Sequence, residues 1–235
     1  MLLAGVAKAT SSAACAWMCT AANGEALRPL IVCGPSGVGK GTLISSLVAA
    51  NPGRISFCVS HTTRAPRPQE VDGNHYFFAS REHFRDMVRQ GRFLEHAEVH
   101  GNFYGTSTEA VLAVANEGKL GILDIDTQGV KNVKRTLAAS SDAPPLLRNM
   151  APRYLFIAPP SLEALEARLR ARGTETPESL RMRLDNARAE VEYGRSAGEF
   201  DKVIVNDNLE EATRQLSQVV ADWYNWPQAQ QLQQQ

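Results

Sequence analysis

Leu30-Ile31-Val32-Cys33-Gly34-Pro35-Ser36-Gly37-Val38-Gly39-Lys40-Gly41-Thr42 is an apolar tetrad that runs into a glycine-rich turn, a lysine and then the helical pattern Leu43, Ile44, Leu47, Val48. A buried strand that ends in such a turn and opens a helix aims backbone N–H groups and a helix N-terminus at one point, and both attract an anion. Lys40 adds a mobile full charge suited to β- and γ-phosphates. A tight turn alone would explain Gly34, Gly37 and Gly39 but not a lysine in register with strand and helix. The segment reads as a phosphate loop, the chain as one that handles a nucleoside triphosphate, and Ser36, Gly37, Val38, Gly39, Lys40, Gly41 and Thr42 as its contacts.

Outward from the loop, short runs rich in Ile, Val, Leu and Phe recur at 55–59, 120–125, 154–158 and 202–205. Unbroken apolar runs of this kind suit central strands covered on both faces. Helical patterns fill the gaps. Ser80 should cap a helix with Phe84, Met87 and Val88 inside and Gly91 past its end; Thr106 and Glu109 should form a capping box before Val111, Leu112 and Val114. Ser161 should cap Leu162, Leu165 and Leu169 with Gly173 at the stop, and Thr176 with Pro177 should open another helix. Strand and helix in alternation predict an α/β fold: a parallel sheet with right-handed crossovers and a ligand site beyond its carboxyl edge.

The chain of 235 residues, 43% hydrophobic and 21% charged, can bury one sizeable core. Lys plus Arg balances Asp plus Glu at 25 each, so no overall basic field draws in nucleic acid or an anionic membrane. No run reaches the ~18 apolar residues of a membrane span. Cys15, Cys19, Cys33 and Cys58 lack metal-ligand spacing and fit a reducing, cytoplasmic setting. Residues 1–27, rich in Ala, Ser and Thr, read as a disordered or targeting extension, with an organellar address as the alternative and Met18 as a second candidate start. Residues 227–235 form a Gln-rich tail, and 138–152 a surface loop.

Gly121-Ile122-Leu123-Asp124-Ile125-Asp126 places carboxylates at the end of an apolar strand, where a hard cation bridging two phosphates needs oxygen partners. Asp126 before Thr127 also suits a helix cap. His96, Glu98 and His100 share a strand face, but a polar face explains them without a zinc ion. In Ser60-His61-Thr62-Thr63-Arg64-Ala65-Pro66-Arg67-Pro68, prolines hold two arginines in extended chain, a guanidinium pair suited to a second phosphate.

With this segment the sequence resembles the guanylate kinases. The resemblance runs in order through the phosphate loop, Ser60 to Arg64 with Pro66-Arg67, Phe93-Leu94-Glu95, Gly101-Asn102-Phe103-Tyr104-Gly105, Leu123-Asp124-Ile125-Asp126-Thr127-Gln128-Gly129-Val130, Ile157-Ala158-Pro159-Pro160-Ser161, Arg172-Gly173-Thr174-Glu175-Thr176 and Val203-Ile204-Val205-Asn206-Asp207. It implies a phosphate-loop nucleoside-monophosphate-kinase fold of three layers: a core within 28–226, a GMP-binding insertion at about 60–106 and a helical lid at about 170–195. It also implies Mg-assisted transfer from ATP to GMP or dGMP in purine metabolism by a monomer. Arg64, Arg67, Tyr76 and Tyr104 match positions that hold the GMP phosphate, and Ser60, Glu95, Thr106 and Asp126 positions that read guanine; Glu70 and Asp124 belong to the same pocket. Asn206 and Asp207 fall on the ATP side, Lys40, Arg67, Arg172 and Arg183 carry catalysis, and Thr42 with Asp126 would hold Mg²⁺. Chemistry supports Glu95, because one carboxylate accepts guanine N1–H and its exocyclic amine together, a pair adenine does not offer. One departure stands out: Gly41 occupies the position where phosphate loops usually place a hydroxyl toward the metal, and Thr42 follows it. A non-catalytic binding module of related sequence is the rival; retention of Lys40, Asp126, Arg172 and Arg183 argues against it.

Overall fold

The computed structural model describes residues 28–99, 101–138, 151–171 and 176–226. The expected extension and tail, most of the 138–152 loop, His100, Gly173 and Arg172 lie outside the described residues. The main sheet takes β1 (Leu30–Cys33), β2 (Ile55–Phe57), β7 (Leu120–Asp124), β8 (Arg153–Ala158) and β9 (Lys202–Val205) in the order β2-β7-β1-β8-β9. Every neighbouring pair is parallel. Expected strands and observed strands coincide closely, with two shortenings: β7 stops at Asp124, one residue early, and β2 stops at Phe57, where the next amide, Cys58 N, donates to Ile122 O at 2.8 Å as the chain leaves the sheet edge.

Alternate residues of these strands feed two separate cores, which makes the fold three-layered. Leu30 and Val32 of β1 and Leu155 and Ile157 of β8 join Leu43, Ile44 and Leu47 of α1 (Lys40–Ala50), Leu165 and Leu169 of α5 (Leu162–Ala171) and Leu216 of α7 (Leu209–Tyr224). Ile31, Cys33, Leu123 and Phe156 face the other way, onto Val111 and Val114 of α3 (Thr108–Asn116) and Val130 and Val133 of α4 (Thr127–Ala138). Among the described residues no helix is long and apolar enough to cross a membrane.

A second sheet of four strands rides on this core: β3 (His61–Thr62), β4 (Phe77–Phe78), β5 (Phe93–Val99) and β6 (Asn102–Ser107), in the order β4-β3-β6-β5. Phe84 of α2 (Arg81–Arg89) backs it, stacking on Phe93 and Phe103 with ring centroids 4.4 and 5.4 Å apart. Ser80 caps α2 as expected, its side chain accepting from His83 N. The capping box expected at Thr106 is corrected: β6 runs on through Thr106, and Ser107 is the cap, accepting from Ala110 N at 3.2 Å. Glu109 turns instead to Arg92, 3.1 Å away.

The long helix α6 (Pro177–Arg195) begins at Thr176, whose side chain accepts from Ser179 N, with Pro177 in its first turn. Its two ends are held differently. At the C-terminal end Gly194 lies so close to fully buried Phe156 that a Cβ would sit 2.3 Å from the ring. Lys134 reinforces this end, donating to Glu199 Oε2 at 2.7 Å beneath the rings of Tyr193 and Phe200. Toward the other end Met182 is 46% exposed. Gly194→Ala should therefore overpack the α6–β8 contact and cost ~2–3 kcal/mol, seen as a lower urea midpoint at unchanged m-value.

Candidate active site

Where β1, β7 and β8 end, a cleft of about 580 Å³ opens between the phosphate loop, the small sheet and α6. The loop is preformed. Gly39 takes φ 98°, open to glycine and strained for other residues, and caps α1. Behind it, buried Asn206 donates through Nδ2 to Val38 O at 2.8 Å. Lys40 Nζ donates to Gly34 O at 2.5 Å and stands 3.8 Å from Asp124 Oδ1. Asp124 keeps 35% of its side chain open to the cleft, and the protein packed around it raises its carboxyl above the ordinary range against the pull of Lys40.

Across the cleft the arginine pair Arg64 and Arg67 is fixed by its own turn. Arg64 forks onto Glu70 at 2.8 and 2.9 Å, and Glu70 Oε2 also accepts from Arg67 N at 2.6 Å. The Arg64 hydrogen bond, more than any other contact, brings the Glu70 carboxyl down to about 2. Arg64 lies over the rings of Tyr76 and Phe78, 5.3 and 5.9 Å from their centroids. Arg67, Tyr76 and Tyr104 line the cleft. Glu70, expected among the ligand contacts, thus commits both oxygens to holding the arginines.

Glu95 forms the deep end and is 5% exposed. Its Oε1 accepts from Thr106 N at 2.8 Å, and Thr106 Oγ1 pairs with Ser60 Oγ at 3.0 Å. At Gly129 the α4 backbone comes so near that a Cβ would be 2.9 Å from Glu95 Oε2. Burial pushes this carboxyl up to about 7, partly offset by the Thr106 bonds, with Asp126 adding a smaller upward push. Asp126 does both things its position allows: Oδ1 accepts from Gly129 N at 2.7 Å, capping α4, and the residue lines the cleft.

From above, Arg183 of α6 reaches the loop and donates to Ser36 Oγ at 2.6 Å. Asn186 and Glu190 line the cleft from the same helix face, and Lys131 from α4. None of these three was expected from sequence, although 183, 186 and 190 stand at helical spacing. Glu190 is pushed up to about 7 by burial, against the pull of Lys40. Not all expected residues converge. Gly41 and Thr42 are exposed on the first turn of α1, outside the cleft lining, and Asn206 lies behind the loop. His96, on the polar face of β5, is exposed and outside the lining, whereas Glu98, exposed on the same strand, lines the cleft. Among the described residues no three His, Cys, Asp or Glu side chains converge to cage a metal. Mg²⁺ asks for less, one or two carboxylates beside phosphate oxygens and water, and Asp126 and Asp124 fit that demand.

A parallel sheet whose first strand feeds a phosphate loop, faced by a guanidinium cradle on a separate small sheet, defines the phosphate-loop nucleoside monophosphate kinase class. The chain belongs to the guanylate kinase family, whose model, described as guanylate kinase, matches residues 26–223. It is 50% identical over 198 residues to guanylate kinase 1 of Oryza sativa subsp. japonica, an alignment covering 84% of this chain and 49% of that protein. It is 44% identical over 195 residues to the Homo sapiens guanylate kinase, covering 83% and 93% respectively. The chain thus spans about half the length of the plant relatives it matches and nearly all of the human one. A crystal structure of guanylate kinase from Anaplasma phagocytophilum superposes with a TM-score of 0.59 at 29% identity, covering 84% of this chain and 86% of that one.

Proposed function

We propose that the chain transfers the γ-phosphoryl group of ATP to GMP or dGMP, giving ADP and GDP or dGDP, as a cytoplasmic monomer whose one cleft holds both substrates. The observation that carries this reading is the placing of a buried carboxylate, Glu95, at one end of a cleft that has Lys40 and the phosphate loop at the other. Glu95 and the Ser60–Thr106 pair would read the guanine edge; Arg64, Arg67, Tyr76 and Tyr104 would hold its phosphate. Burial pushes the Glu95 carboxyl up to about 7, and two guanine N–H donors would favour its charged form.

Loop amides and Lys40 would hold the ATP phosphates, and Arg183, with Arg172, would follow the charge that spreads over the transferring group. Catalysis of this kind is positioning and charge neutralisation. Mg²⁺ would supply further neutralisation of the polyphosphate, held by Asp126 and Asp124, directly or through water, and the Thr42 hydroxyl, outside the lining, would join them only through water. The small sheet is then the GMP-binding region and the segment at about 170–195 the lid, whose closure excludes water.

Incubation with ATP, GMP and Mg²⁺ should yield ADP and GDP in equal amounts by ion-exchange chromatography, whereas ADP with inorganic phosphate and no GDP would refute the transfer. Glu70→Gln should raise the KM for GMP about tenfold with kcat little changed, because it loosens a ground-state cradle more than the transferring group. Steady-state kinetics in GMP at saturating ATP tests this.

A further inference from the structure

We propose that Arg168 of α5 is a positioning residue of the phosphate loop: with Asn206 it grips the Val38 carbonyl from behind, aiming and polarising the Gly39 N–H of the same peptide unit. The proposal rests on reading the loop as a triphosphate site and adds a residue outside the cleft that tunes it. In a trans peptide the C=O and N–H point in opposite directions. A loop that turns its N–H groups to an anion must therefore turn carbonyls back into the protein, where each needs a donor.

For Val38 O two donors are present. Asn206 Nδ2 stands at 2.8 Å and Arg168 Nη1 at 3.5 Å, while Arg168 Nη2 donates to Asp207 O at 3.2 Å. One planar guanidinium thus ties the loop to the turn after β9. Contact is tight, since a Cβ on Gly39 would lie 2.6 Å from Asn206 Nδ2 and one on Gly37 2.7 Å from Leu169 Cδ2. Leu169 is the neighbour of Arg168, so the helix turn that packs against the loop also delivers the cation. A charged donor on the oxygen draws electron density through the peptide and strengthens its N–H as a donor. Asn206, expected beside ATP, acts on the loop from the same side.

Arg168→Met keeps the apolar stem and removes the charge and both donors. Calorimetry should show ADP and inorganic tripolyphosphate each bound about tenfold more weakly, with GMP affinity unchanged. The Gly39 amide proton should move upfield in the ¹H–¹⁵N spectrum of the ADP complex, a shift that general loosening of the fold would not confine to that residue. Unaltered affinities with an unmoved Gly39 resonance would overturn the proposal. So would weaker ADP binding with intact tripolyphosphate binding, which would assign Arg168 to the base. If Arg168→Met fails to fold, Arg168→Gln carries the test: it keeps a donor without the charge and must weaken both ligands severalfold and shift Gly39, or the proposal falls. Wild-type protein that bound neither ligand would overturn the triphosphate reading and this proposal with it, a result distinct from a variant that binds as well as wild type.

Discussion

Lys40→Met should leave a folded protein whose kcat is lower by ~10²-fold or more. The ammonium sits at the entrance of the loop, on Gly34 O and near Asp124, in partial contact with solvent. It contributes little packing, and methionine keeps most of the stem, so the fold has small reason to respond. What disappears is a full positive charge at the phosphates, where charge spreads during transfer. Loss of Lys40 also leaves Asp124 and Glu190 without the cation that favours their ionised forms, so both carboxyls should titrate higher in the variant. Circular dichroism and a thermal melt establish folding, and single-turnover rates at saturating ATP and GMP give the loss. A folded Lys40→Met protein with near-normal turnover would remove the loop from the chemistry.

Glu95→Gln should cost ~2–4 kcal/mol in kcat/KM for GMP, ~30- to 1,000-fold. An amide presents its own NH₂ to one of the two guanine donors, and at 5% exposure the Glu95 side chain has little solvent contact to relieve the mismatch. The substitution also carries a pH signature. Burial raises the Glu95 carboxyl to about 7 from 4.5, so the folded state binds its proton more tightly than the unfolded state. The stability it adds is full below pH ~4.5 and is lost as pH rises toward ~7. Guanine needs the carboxylate, so GMP affinity should climb between pH 6 and 8 in the wild type. Glu95→Gln should flatten that climb, and whatever slope survives reports the second ionisation of the GMP phosphate, near pH ~6, together with Glu190, which burial raises to about 7. Calorimetric titration of both proteins with GMP at several pH values isolates the Glu95 contribution as the difference between the two slopes.

Hydrophobic periodicity discloses the main sheet almost residue for residue, because buried parallel strands leave unbroken apolar runs between capped helices. The small sheet is hidden from it. β3 and β4 have two residues each, and β5 alternates buried Glu95 with exposed His96, so strand pairing is set by contacts with β6 and α2 that no local pattern carries. Site residues that belong to ordered motifs, such as Lys40, Arg67, Tyr76, Glu95 and Tyr104, meet in one cleft as the resemblance implies. Glu70 and Asn206 show the limit of such transfer. Motif position tells that they stand near the ligand, while only geometry tells that they brace arginines and a loop carbonyl. Arg168, Asn186 and Glu190 look like solvated helix charges or polar spacers in sequence, and become legible once α5 and α6 are packed over the loop. At Thr106 a single residue of extra strand moves the cap to Ser107 and frees the Thr106 hydroxyl for Ser60.

The most direct test of the central claim, that one cleft joins an ATP loop to a guanine-reading pocket, is ADP release in a coupled assay with ATP and each of AMP, GMP, CMP, UMP and dTMP. ADP release driven by GMP and at least ~10²-fold slower, in kcat/KM, with the other four is the result expected. Equal turnover with AMP, or ADP release that none of the five accelerates, would contradict it.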